Sequence, residues 1–248
     1  ESLEEQKEEW FQEAAEKANG QKLCENVELA LELDTPQLYE AWLREPMETF
    51  AEKYWKKWGL QEHPIAKKPV ERVYIGNTFC PHLFPENDIL HAMLEKAKIE
   101  GISVTLTFSW IKESQIDSIR ELLKFLEQRK EYMPNEIAVN DWGTAHLIRK
   151  WKQETQNCVK LNLGILLNRY KKDNRSRYLK EETKCFQETN LNSEFYQQYL
   201  KENQIERYEL EACGHEIVIP KGKHSLHLPF FQTNTAQFCT LYAKCACG

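Results

Sequence analysis

The sequence lacks any apolar run close to the roughly 20 residues of a membrane-crossing helix, so no membrane span is expected. Its first residues, ESLEEQKEEW, are acidic and polar, the reverse of a secretory leader, and a cytoplasmic location is expected. The chain starts at Glu1 rather than Met and stops abruptly at Gly248, which leaves room for residues beyond either end. An excess of positive charge is also missing: 33 Lys and Arg face 39 Asp and Glu, a net charge of −6. Affinity for nucleic acid rests on local positive charge, so nucleic acid is not an expected partner. The basic run RYKKDNRSRYLK reads as a solvated loop. No G-x-S-x-G, H-E-x-x-H, phosphate loop or dinucleotide fingerprint occurs, which leaves a serine hydrolase, a zinc peptidase or a nucleotide-dependent enzyme without motif support.

What is present is a chain of 248 residues, 41% hydrophobic and 29% charged, long enough to bury a sizeable core in one large domain or in a domain with a small extension. Residues 1–62 read as a mainly helical N-terminal extension. Leu3, Trp10, Phe11 and Ala14 recur at helical spacing. NVELALELD alternates Val27, Leu29, Leu31 and Leu33 as a short strand would, and DTPQLYEAWLREPMETFAEKYWKKWG reads as two helices with Trp42, Trp55 and Trp58 as packing residues. QEHPIAKKPVE, with two prolines, reads as a linker over residues 63–70.

From residue 71 to 248 the pattern changes to strands alternating with helices. RVYIGN, ISVTLTFSW, EIAVND, CVKLNLGILLN and RYELEACG read as five parallel strands joined by helical crossovers. HEIVIPKG and SLHLPFF are strand-like runs with no helix between them. The expected fold class is therefore α/β, a parallel β/α barrel, partial or open, or one closed by those last runs, with the mainly helical extension before it. In such folds the chemistry gathers at the carboxyl ends of the strands. Those ends offer Asn77 and Cys80, Ser109 and Trp110, Asn140, Asp141 and Trp142, Asn162, Asn168 and Arg169, then Glu211 and Cys213. His224 and His227, three apart in a strand-like run, should point to opposite faces.

Eight cysteines occur, and Cys239, Cys245 and Cys247 crowd the closing stretch TAQFCTLYAKCACG. A chain of this size needs no disulfide staples, and clustered cysteines in a cytosolic protein more often bind metal or carry redox chemistry. Cys80, which precedes Pro81, adds a fourth thiol at the strand-end face. Four thiolates suit an iron–sulfur cluster and equally a structural zinc, while the C-x5-C-x-C spacing matches the standard pattern of neither. Cys24, Cys158 and Cys185 read as ordinary residues, and Cys213 as a reserve ligand.

The order of these pieces resembles the collagenase-like U-32 peptidase family, and within it the small iron–sulfur proteins of oxygen-independent ubiquinone biosynthesis. RVYIGNTFC is similar to that branch's strand–Gly–Cys element, AVNDWGTAHLI to its next strand end, and RYELEACGHEIVIPKG with HLPFFQTNTAQFC to its Glu-bearing strand and final cysteine element. Phe238 stands where the family usually has Arg before the first cysteine of the last group, and the gap to the next pair is shorter. The resemblance implies a 4Fe–4S cluster held by Cys80, Cys239, Cys245 and Cys247 at the mouth of a β/α barrel, with zinc as the alternative metal. It implies oxygen-independent modification, hydroxylation above all, of an aromatic or related substrate lined by Asn140, Asp141, Arg169 and Glu211. A small-molecule or peptide substrate and a partner subunit of the same family are expected. The rival readings are a peptide-processing enzyme that captures its substrate through the N-terminal module, and a non-catalytic metal-stabilised subunit.

Overall fold

Along each strand apolar and polar residues alternate, and this alternation decides which face of the sheet meets helices. The computed structural model describes residues 2, 4, 5, 8, 9, 12, 27–170, 187–212, 217–229 and 232. Seven strands form one sheet in sequence order: β1 (Ala30–Leu33), β2 (Arg72–Gly76), β3 (Ser103–Phe108), β4 (Glu136–Val139), β5 (Lys160–Leu163), β6 (Ile205–Glu211) and β7 (Lys223–His227). Every neighbouring pair is parallel. Helices α1 (Pro36–Leu43), α2 (Met47–Lys57), α3 (Asn87–Glu100), α4 (Ile116–Glu127), α5 (Trp142–Thr155) and α6 (Glu194–Glu202) lie between them in the chain.

The fold is thus α/β with a parallel, open, barrel-like sheet, and among the described residues it has seven strands where the sequence reading counts five. The added two are the sheet's edges. Strand β1 comes from the stretch assigned to the N-terminal extension, and its residues Ala30 to Leu33 pair with Arg72 to Ile75 across the Pro-containing segment. That segment folds as a 3-10 turn over Pro64–Lys67, and the Glu71 amide donates to the Leu29 carbonyl at 3.0 Å. Strand β7 follows β6 with no helix among the described residues of the connection. Leu3, Trp10, Phe11 and Ala14, the stripe from which a leading helix is expected, lie outside the described residues.

The helices cover one face of the sheet. Leu31 and Leu33, Val73 and Ile75, Leu106 and Phe108, Ile137 and Val139, and Leu161 and Leu163 point to that face and join Trp42, Met93, Leu126 and Ile148 in one buried cluster. Each such side chain contributes about 1.5–3 kcal/mol of burial free energy. Trp42 and Trp55 are buried in this layer, while Trp58 is exposed. The opposite face curls on itself. Tyr74 of β2 donates to Ser225 Oγ of β7 at 2.9 Å, and His227 of β7 meets Glu32 of β1 at 3.1 Å, although four strands separate β2 from β7 in the sheet. Backbone pairing between β1 and β7 is absent among the described residues, so the curled sheet stays open along that seam. No described helix is long and apolar enough to cross a membrane.

Candidate functional site

The concave face of the sheet is mostly polar and charged, with Ala138 on β4 an apolar exception. Its polar inward positions are Arg72 and Tyr74 on β2, Thr105 and Thr107 on β3, Glu136 on β4, Asn162 on β5, Arg207, Glu209 and Glu211 on β6, and Ser225 and His227 on β7. Parallel strands buried on both faces ordinarily read as continuous apolar runs, so an alternating charged face marks a lumen.

Glu136 sits at its centre, 3% exposed. Arg72 Nη1 lies 3.3 Å and Arg207 Nη2 3.5 Å from its oxygens. Asn162 Nδ2 donates to it at 2.9 Å and Thr105 Oγ1 at 3.3 Å. Arg72 also pairs with Glu28 and donates to Thr105 Oγ1 at 3.1 Å. A buried carboxylate with two cations and two further donors is the arrangement that offsets its desolvation.

Glu209, two residues along β6 from Arg207, is treated differently. It is 1% exposed, and neither carboxylate oxygen has a hydrogen-bond partner. The cation it faces is His227, whose Nε2 lies 3.4 Å from Glu209 Oε2 while Nδ1 lies 3.1 Å from Glu32 Oε1. Burial alone would lower the His227 pKa. The nearby carboxylates of Glu209 and Glu32 outweigh it and hold the ring well above the ordinary imidazole value. Tyr74 packs edge-on against this ring at 5.5 Å. Burial first, and then the charge of Glu209, push its hydroxyl far above the ordinary phenol range. His224 lies on the other face, its ring against Tyr208 and its Nε2 2.6 Å from the Pro220 carbonyl.

The mouth of the lumen, at the carboxyl ends of the strands, gathers several of the residues singled out in the sequence. Strand β2 ends at Gly76 with φ +114°, and a Cβ there would stand 2.2 Å from the Thr107 carbonyl oxygen, so only glycine allows this close turn into the next loop. That loop is pinned by Asn77. Its Oδ1 accepts from the Phe79 and Cys80 amides, both at 2.8 Å, and its Nδ2 donates to the Asp34 carbonyl at 3.1 Å. Cys80 is thereby held half-buried with a free thiol. Asn140 is buried and ties three strand ends together: Nδ2 donates to the Phe108 carbonyl at 2.8 Å, and Oδ1 accepts from the Leu166 amide at 3.0 Å. Gly164 makes room for it, since a Cβ there would meet Asn140 Oδ1 at 2.3 Å.

Asp141 is the N-cap of α5, accepting from the Thr144 amide at 2.7 Å and from the Thr144 hydroxyl at 2.6 Å. Arg169 is exposed, and its backbone pairs with Asn190 on both sides, the amide donating to Oδ1 at 2.9 Å and the carbonyl accepting from the Asn190 amide at 2.9 Å. Glu211 is buried at the end of β6, where Oε1 accepts from the Gln232 amide at 2.8 Å. Tyr170 closes the same corner, its hydroxyl donating to the Glu211 carbonyl at 2.8 Å.

Cys80 and Cys158 are free thiols. Cys24, Cys185, Cys213, Cys239, Cys245 and Cys247 lie outside the described residues. Among the described residues no group of three or more His, Cys, Asp or Glu side chains is arranged to hold a metal ion. Reading strand ends finds the mouth and misses the lumen. The signal for the lumen was the charge at every second residue of R-Y-E-L-E, with a single charge in each of R-V-Y and E-I-A, a pattern that a half-solvated strand would share.

No family model and no curated protein matches the chain. Among solved structures, one that it resembles is described as the U32 peptidase Mk0906, at 12% identity and a TM-score of 0.37, with 77% of this chain and 71% of that chain covered. At that score the likeness assigns no activity, cofactor or substrate to this chain.

Proposed function

We propose that the protein is a four-thiolate metalloprotein that holds a 4Fe–4S cluster through Cys80, Cys239, Cys245 and Cys247 at the mouth of its open barrel, and that it carries out an oxygen-independent modification, such as hydroxylation, of a small aromatic or related molecule bound there. The observation that supports this reading is the contact of the Gln232 amide with Glu211. It fastens the chain to the mouth only seven residues before Cys239. Seven residues reach at most about 25 Å when extended. Cys80 waits in the loop after β2, half-buried, unpaired and fixed through Asn77. Such a thiol suits a metal ligand, because its backbone is ordered before the metal arrives and its sulfur keeps an open side.

A bound cluster of this kind supplies one-electron transfer. The chain's own residues define what lies beside it. Glu211 offers a carboxylate at the mouth, Asn140 and Asp141 shape the wall through their fixed strand and helix ends, and Arg169 stands at the exposed rim. Zinc on the same four thiolates would make the site structural instead.

The test is anaerobic purification followed by a visible spectrum and counts of iron, sulfide and zinc, for the wild type, Cys80→Ala and the Cys239→Ala, Cys245→Ala double variant. About four irons and four sulfides per chain, lost in both variants, is the expected result. One zinc per chain would replace the redox reading with a structural one. A wild type that binds neither metal would overturn the proposal.

A further inference from the structure

Among the described residues, the seam between β1 and β7 is bridged by side chains alone. Two tethers among the described residues cross to β7 from the first strands: the neutral Tyr74–Ser225 hydrogen bond from β2, and the His227–Glu32 contact from β1. The first does not titrate near neutral pH, since burial and Glu209 keep the Tyr74 hydroxyl protonated far above the ordinary range. The second depends on a ring set between two carboxylates, with Nδ1 3.1 Å from Glu32 Oε1 and Nε2 3.4 Å from Glu209 Oε2, so that both nitrogens face negative charge. Imidazolium has two N–H donors and neutral imidazole has one.

We propose that His227 is a proton-operated latch across the open seam of the barrel, tying β7 to β1 when charged and releasing β1 when it loses one proton. The environment decides which contact breaks. Glu209 is 1% exposed and has no hydrogen-bond partner for either oxygen, so it cannot be left facing a lone pair. The Glu32 side chain is 44% exposed and can turn to water. The remaining proton therefore stays on Nε2 toward Glu209, and the Nδ1–Glu32 contact is lost. The other charged groups around the ring do not take over this role. Arg207 is engaged with Glu136, Arg72 with Glu28 and Glu136, and Glu211, the register partner of His227, with the Gln232 amide.

The sign follows from the raised folded value. The latch stabilises fully below the unfolded imidazole pKa of 6.5 and is lost as pH rises through the higher folded one. Opening would expose the lumen sideways along β1, with the strands between unaffected.

Hydrogen–deuterium exchange of the full chain between about pH 6 and about pH 10, corrected for intrinsic exchange, tests this. In the wild type, opening of residues 30–33 should rise about tenfold per pH unit once pH passes the His227 pKa, while residues 104–108 and 136–139 stay flat. His227→Gln should exchange quickly at 30–33 at every pH, with no slope. Glu32→Gln, which leaves the Glu209 contact in place, should flatten the profile at 30–33 and keep 223–227 protected. A flat wild-type profile, an equal slope in His227→Gln, or a slope shared by 104–108 and 136–139 would each overturn the latch.

Discussion

Glu136 and Ile137 are neighbours in β4, both buried, and they live in different physical worlds. Ile137 points to the helix-covered face and belongs to the buried apolar cluster, where shape and volume matter more than particular partners. Glu136 points into the lumen and is held by named partners: Arg72, Arg207, Asn162 and Thr105. The apolar face stabilises the sheet by removing area from water. The charged face adds little net stability, because attraction there mainly offsets desolvation, but it binds distant strands to one geometry. Here the charged face is buried because the sheet curls, which brings Tyr74 to Ser225 and His227 to Glu32. Laid flat, the same residues would stand in water and would have no reason to be paired so tightly.

This comparison can be broken most forcefully at Glu136. Its replacement by Ala leaves Arg72 and Arg207 facing each other in a buried space, and a loss of about 3–5 kcal/mol is expected in denaturant unfolding. Removing Arg72 as well should recover part of that loss, since the orphaned charge, more than the absent bond, is what costs. A double variant no better than Glu136→Ala would mean that the lumen is not electrostatically closed. Ile137→Ala should cost about 2–5 kcal/mol by cavity formation, with no partner whose removal restores it. The two residues would then differ in rescue rather than in size of effect.

The same contrast explains what could be read from the sequence. The α/β class and the five central strands follow from apolar runs punctuated by helices, because burial on the outer face leaves a direct mark on composition. The two edge strands were harder. Ala30–Leu33 was legible as a strand, yet two prolines before Arg72 looked like a boundary, and only the long-range pairing of Leu31 with Val73 joins it to the sheet. Lys223–His227 pairs in parallel with β6 without the helix that usually signals such a crossover. Cys80, Asn140, Asp141 and Glu211 could be picked out because strand ends are local features. Arg72, Glu209 and His227 could not, since each taken singly resembles a solvent-facing strand residue, and curling alone brings them together.

The mouth offers the finest test, at Asp141, which local sequence marks equally well as a helix cap and as a substrate ligand. As the cap of α5 it accepts from Thr144 through both oxygens, and Asp141→Ala should cost about 1 kcal/mol of stability. Asn caps a helix nearly as well as Asp, so Asp141→Asn should recover most of that loss. Metal content should be unchanged in both, because the cap lies on a different strand end from Cys80. If Asp141→Asn restores stability but loses binding of a small molecule that the wild type retains, the carboxylate charge itself is used at the mouth. If it restores both, the residue serves the helix, and substrate contact at the mouth falls to Asn140, Arg169 and Glu211.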